Sequence, residues 1–107
     1  MVHAGYLEQF PTAGLTGKYT CVEDFYLRAR EDAYLVGGIE NGMIVAGHTP
    51  TLSKDYMMYN GGLVYQHYDP QKNCLYYDID CGCSYRTVRA NARLACLCAE
   101  TGAIYYL

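Results

Sequence analysis

The four residues Met43-Ile44-Val45-Ala46 are all apolar, and the run stops abruptly at Gly47-His48-Thr49-Pro50. Nothing else in the sequence restricts the fold so tightly. A short run with no polar alternation is what a strand covered on both faces requires. Gly47 and Pro50 then break the strand. His48 therefore sits where a buried strand leaves its sheet, a rigid place from which to present an imidazole.

The remaining elements are arranged around that strand. Val2-His3-Ala4-Gly5 follows the first Met directly and reads as the stub of another strand. Leu7 to Lys18 carries Pro11, Gly14 and Gly17 and reads as a loop. One amphipathic helix is expected from Thr20: Thr20 and Glu23 form a capping-box pair, Asp24 adds charge to the first turn, and Val22, Phe25, Tyr26, Ala29 and Ala33 recur at helical spacing. Gly37-Gly38 lies beyond its end. Leu63 to Tyr68 and Leu75 to Ile79 read as strands, and Leu94 to Ala99 with Ala103 to Leu107 as a hairpin turned by Gly102. Thirteen tyrosines and no tryptophan lean the same way, since Tyr suits half-buried strands. The expectation is a single partial domain over residues 1–107, α+β in class and mostly strand, with one helix.

A net charge of -3 without a basic run argues against a nucleic-acid partner and against an anionic membrane surface. No apolar stretch approaches the roughly 18 residues of a membrane span, and no secretory signal is evident, so a cytoplasmic location is expected. Six cysteines, at 21, 74, 81, 83, 96 and 98, admit three readings: reduced structural thiols, a disulfide framework, or a zinc site. The CxC spacing of Cys81/Cys83 and Cys96/Cys98 is tighter than that of most structural zinc sites. In a strand, Leu94, Cys96 and Cys98 share one face and are expected to line a core, whereas Cys81 and Cys83 are expected to be the more exposed pair. Asp78 and Asp80, two apart, are expected on one strand face, hydrogen-bonding at the strand end.

Five segments together resemble one family. Gly47-His48-Thr49-Pro50 resembles the Gly-His-Thr-Pro segment of the calcineurin-like metallophosphoesterases, and Val2-His3-Ala4-Gly5 their upstream Val-His-Ala-Gly or Val-His-Gly-Gly segment. Leu27-Arg28-Ala29-Arg30-Glu31 is similar to Leu-Trp-Ala-Arg-Glu. Tyr77-Asp78-Ile79-Asp80-Cys81-Gly82-Cys83 is similar to the stretch Ile-Asp-Thr-Gly-Cys or Ile-Asp-Cys-Gly-Cys, and Arg93-Leu94-Ala95-Cys96-Leu97 to the penultimate strand. The segments fall in the family's order across nearly the whole chain. The bacterial and phage serine/threonine protein phosphatases and the diadenosine tetraphosphatases are the branches most alike.

The resemblance implies the C-terminal half of a four-layer α/β/β/α sandwich. Gly-Asp-x-His-Gly, Gly-Asp-x-x-Asp-Arg-Gly and Gly-Asn-His-Glu, which supply most of the family's two-metal site, do not occur in the 107 residues. It further implies that His3 and His48 are metal ligands and that Arg30 clamps phosphate, with Arg28 as its substitute because Arg28 falls where the family has Trp. Imidazole suits Mn, Fe or Zn, and a guanidinium fork suits phosphate oxygens. The parent would use two divalent ions to hydrolyse a phosphoprotein or a small phosphoester. The chain alone is expected to bind metal weakly or not at all and to be inactive. The alternative is a degenerate, non-catalytic remnant acting as a binding or oligomerising module, and a third reading is a small cysteine metal-binding protein. A sheet that has lost its facing layer also implies a homo-oligomer, unless the loop from Leu7 to Lys18 folds over the gap. His67 has no motif around it and is read as structural.

Overall fold

The computed structural model of the chain describes residues 1–10, 15 and 17–107. In chain order the elements are α1 (Val22–Arg28), α2 (Asp32–Leu35), β1 (Gly42–Ala46), β2 (Tyr65–Asp69), β3 (Cys74–Asp78), a 3-10 turn (Cys83–Tyr85), β4 (Ala95–Leu97) and β5 (Ile104–Tyr106). The class is α+β, with two sheets among the described residues. β3 is the centre of a mixed sheet of order β1-β3-β2: β1 runs parallel to it and β2 antiparallel. β4 and β5 form a separate antiparallel hairpin. The Val2–His3 segment lies along the free side of β1, through Val2 N–H to Val45 O and Gly47 N–H to His3 O, both at 2.9 Å.

The pleat of β1 and β3 divides the core. Ile44, Ala46, Cys74 and Tyr76 face one way and pack with Phe25, Ala29, Ala33, Tyr34, Leu7, Leu15 and Met58. Full burial of a side chain such as Phe25, which has no exposed surface, stabilises by about 1.5–3 kcal/mol. Met43, Val45, Leu75, Tyr77 and Ile79 face the other way, against Ala95, Leu97 and Ile104 of the hairpin. The covering is thinner there: Met43, Val45, Leu75 and Ile79 remain half-buried. The apolar run 43–46 is thus flanked on both faces, as its composition requires.

Several local expectations need correction. The single helix is two short ones. Ala29 leaves α1 in an extended conformation (ψ 138°), and α2 starts three residues later. No Gly or Pro lies between Val22 and Val36, so the break is imposed by packing, with Phe25, Ala29 and Ala33 all buried across it. Thr20 and Glu23 do not form a capping box. Thr20 donates to Asp24 instead, through its amide at 2.9 Å and its hydroxyl at 3.3 Å, and Cys21 is the N-cap. In the hairpin the pleat is shifted by one: Ala95 and Leu97 face the core, while Leu94 and Cys96 are exposed. Both faces of that strand are apolar, so its composition does not specify the parity. Gly102, at φ 75°, supplies the left-handed turn between β4 and β5. Pro11 and Gly14 of the expected loop lie outside the described residues. Leu7 and Leu15 pack on the helix side of the sheet, not over the thinly covered face.

Candidate functional site

β1 and β3 run parallel and end together, Ala46 opposite Asp78. Beyond them the chain continues as Gly47-His48-Thr49 on one side and Ile79-Asp80 on the other. The crevice outside the carboxyl ends of parallel strands is where open sheets collect ligands. Here it widens into a cleft of about 960 Å³, lined among others by Arg30, His48, Tyr56, Asp80, Tyr85 and Arg89.

His3 and His48, distant in sequence, meet at its edge. His3 is placed by the segment along β1 and His48 by the turn after β1. His3 Nε2 lies 3.0 Å from His48 Nδ1, with ring centroids 4.8 Å apart and planes tilted by 52°. Two nitrogens bound to one ion at about 2.1 Å, with an angle between about 90° and 110°, are about 3.0–3.4 Å apart. The observed separation also fits a direct N–H···N bond in which one ring donates and the other accepts. Burial, with Arg30 and His3 nearby, holds His48 below the usual imidazole pKa, so it is neutral at neutral pH. The neutral ring is the form that ligates metal. The donor set thus fits a divalent ion in chemistry and spacing, but only in part. Among the described residues no group of three or more His, Cys, Asp or Glu is placed to hold an ion, and a catalytic site normally needs three protein ligands.

The two arginines separate clearly. Arg28 is on the exposed side of α1, where its guanidinium turns back onto Asp24 in an i, i+4 pair, and it does not line the cleft. Arg30 comes just after the chain leaves the helix at Ala29. It lines the cleft with His48, and its Nη1 donates to the Thr49 hydroxyl at 3.3 Å. The break that the sequence does not announce is therefore what aims Arg30.

Asp78 and Asp80 do not share an environment. Asp78 is fully buried and accepts the Asp80 amide at 2.9 Å, whereas Asp80 lines the cleft and accepts the Gly82 amide at 3.0 Å. β3 ends at Asp78, so the alternation that would put both on one face no longer applies. The strand-end hydrogen bonding is as expected. Burial pushes the Asp78 carboxyl up to about 7. Gly82, at φ 78°, lets the chain turn tightly over Leu52 on the cleft wall, where a Cβ would meet Leu52 at 2.9 Å.

The cysteines are all unpaired. Cys81 is buried and Cys83 exposed, so they are not an exposed pair, and burial raises the Cys81 thiol to about 11. His67 is half-buried, its ring 4.6 Å from that of Tyr34.

No protein-family model, curated protein or solved structure matches the chain. Cleft residues that sequence reasoning did not single out come mainly from the 50–62 loop: Lys54, Tyr56 and Tyr59, faced by Tyr85 and Arg89. The charged pair Lys54-Asp55 next to Tyr56, with Tyr59 three residues on, was the available signal.

Proposed function

We propose that this chain carries part of the site of a metal-dependent phosphoesterase of the serine/threonine protein phosphatase type. His3 and His48 are two ligands of one divalent ion (Mn, Fe or Zn), and Arg30 binds the phosphoryl oxygens of a phosphoprotein or small phosphoester. The observation that carries the reading is the 3.0 Å approach of His3 Nε2 to His48 Nδ1 at the parallel strand ends, beside Arg30 in the same cleft. Such an ion, when bound, acidifies a water and offsets charge on the phosphoryl group. His48 is kept neutral by burial and so available as a ligand. Arg30 offers a fork of donors, of which, among the described residues, only Nη1 is engaged by a protein hydrogen bond, to Thr49. Two histidines do not complete a catalytic site. The remaining ligands come from a companion segment or chain, and the isolated chain is inactive.

The test is metal binding. Co²⁺ titrated into the 107-residue chain gives a weak ligand-field absorbance that disappears in both His3→Ala and His48→Ala. Equal absorbance in the wild type and both variants would refute the shared-ion reading.

A second reading is a non-catalytic, self-associating module, favoured by the half-buried Met43, Val45, Leu75 and Ile79 on the thinly covered sheet face. It is compatible with the first, because the thinly covered face would serve either another copy or the companion segment. No helix among the described residues is long and apolar enough to cross a membrane.

A further inference from the structure

Arg30 has a second neighbour that its sequence surroundings do not suggest. Its guanidinium carbon lies 4.2 Å from the ring centroid of Tyr56, well inside the distance at which an aromatic face attracts a cation. No carboxylate among the described residues forms an ion pair with Arg30, in contrast to Arg28 and Lys18, which are paired with Asp24 and Asp32. A half-buried guanidinium held by an aromatic face and a neutral hydroxyl keeps its charge available to an incoming anion.

Tyr56 itself is firmly placed. The loop carrying it is closed at its neck by Asn60 N–H to Thr51 O at 2.8 Å and Gly62 N–H to Thr51 O at 3.3 Å, and Thr51 N–H ties that neck to Asp80 O at 2.9 Å. Inside the loop, turns run from Pro50 O to Ser53 N–H, from Ser53 O to Tyr56 N–H and from Tyr56 O to Tyr59 N–H. Asp55 N–H donates to the Ser53 hydroxyl. Met58, with no exposed surface, plugs the loop into the main core, which also holds Ile44 and Phe25. The ring of Tyr56 is therefore a fixed platform.

We infer that Tyr56 is the positioning residue for Arg30: its ring face and the Thr49 hydroxyl together fix the guanidinium plane, so that the unused donors stay grouped for a phosphate oxygen. The inference rests on the reading of Arg30 as the phosphate clamp. Preorganisation of this kind raises anion affinity because the long side chain loses less rotamer freedom on binding.

The test uses the full 107-residue chain and inorganic phosphate, followed by nuclear magnetic resonance. In the wild type, the ring current of Tyr56 shifts the Arg30 side-chain Nε–H and Cδ–H signals upfield. Tyr56→Phe keeps this shift and Tyr56→Leu loses it. In the phosphate titration Arg30→Ala loses most affinity, Tyr56→Leu loses about two- to fivefold, and Tyr56→Phe stays within about twofold of the wild type. Arg30 signals at ordinary positions in the wild type overturn the inference without any variant. Unchanged affinity in Tyr56→Leu, with affinity lost in Arg30→Ala, overturns it while leaving the clamp intact. Unchanged affinity in Arg30→Ala removes the clamp and, with it, anything for Tyr56 to position.

Discussion

Replacing Asp78 by Asn changes one atom of a fully buried carboxyl and should raise stability in a pH-dependent way. Asp78 has no exposed surface, its Oδ2 has no partner at full hydrogen-bond geometry among the described residues, and burial, against the Asp80 and Thr49 amides, lifts its pKa from 3.8 to about 7. Because the folded-state pKa is raised, the folded protein keeps a proton that the unfolded chain releases near pH 4. Stability from this group is then fully present below about pH 4 and is lost as pH rises to about 7. Three units of difference amount to about 4 kcal/mol in all, and the part falling between pH 5 and pH 8 is about 2–3 kcal/mol. Asn at this position accepts the Asp80 amide through Oδ1 as Asp78 does, but cannot ionise. Urea unfolding of both proteins, followed by circular dichroism at pH 5, 6, 7 and 8, gives the double difference, from which His3 and His48 cancel. The advantage of Asp78→Asn is expected to grow by about 2–3 kcal/mol across that range. A difference that stays constant within about 0.5 kcal/mol would refute the assignment of a buried, proton-holding Asp78.

Four further outcomes are expected. The isolated chain turns over neither p-nitrophenyl phosphate nor a phosphopeptide in Mn²⁺, and metal-dependent turnover that disappears in His48→Ala would show that its site is more complete than two ligands. Where a companion segment restores activity, Arg30→Ala raises KM and lowers kcat at normal metal content, whereas Arg28→Ala changes neither; the reverse pattern would reassign the clamp. Tyr76→Phe removes the buried hydroxyl that donates to Ala4 O at 3.2 Å and costs about 1 kcal/mol in thermal or urea unfolding; no loss would mean that this bond does not hold the His3 segment down. The chain self-associates through the face carrying Met43 and Val45, so Val45→Glu lowers the mass seen by sedimentation, and a wild-type monomer at roughly tens of micromolar would exclude this, since an apolar patch of a few hundred Å² at about 25 cal/mol per Å² is worth several kcal/mol.

Much of the site was legible because it rests on strong local signals. An all-apolar run stopped by Gly47 and Pro50 places His48 at a strand end whatever surrounds it. Gly102 between two short apolar segments marks the hairpin turn. Arg30 and His3 were singled out only through motif resemblance, since neither lies in a segment whose periodicity marks it. The different placement of Arg28 and Arg30, one paired with Asp24 and the other in the cleft, was not legible, because it depends on a helix break at Ala29 that no Pro or Gly announces.

By itself, then, the sequence determined the strand that leads to His48, the approximate positions of two further strands and the hairpin, because hydrophobic period and turn chemistry act over a few residues. Tertiary structure decided which face of β4 is inside, since Leu94-Ala95-Cys96-Leu97 can bury either parity. It also buried Cys81 and Asp78 while leaving Cys83 exposed and Asp80 at the cleft, because β3 ends between the two aspartates. And it brought His3 to His48 and Tyr56 to Arg30, contacts between segments far apart in the chain. Such contacts depend on how the sheet, the helix break and the Met58-anchored loop pack together, which no local pattern encodes.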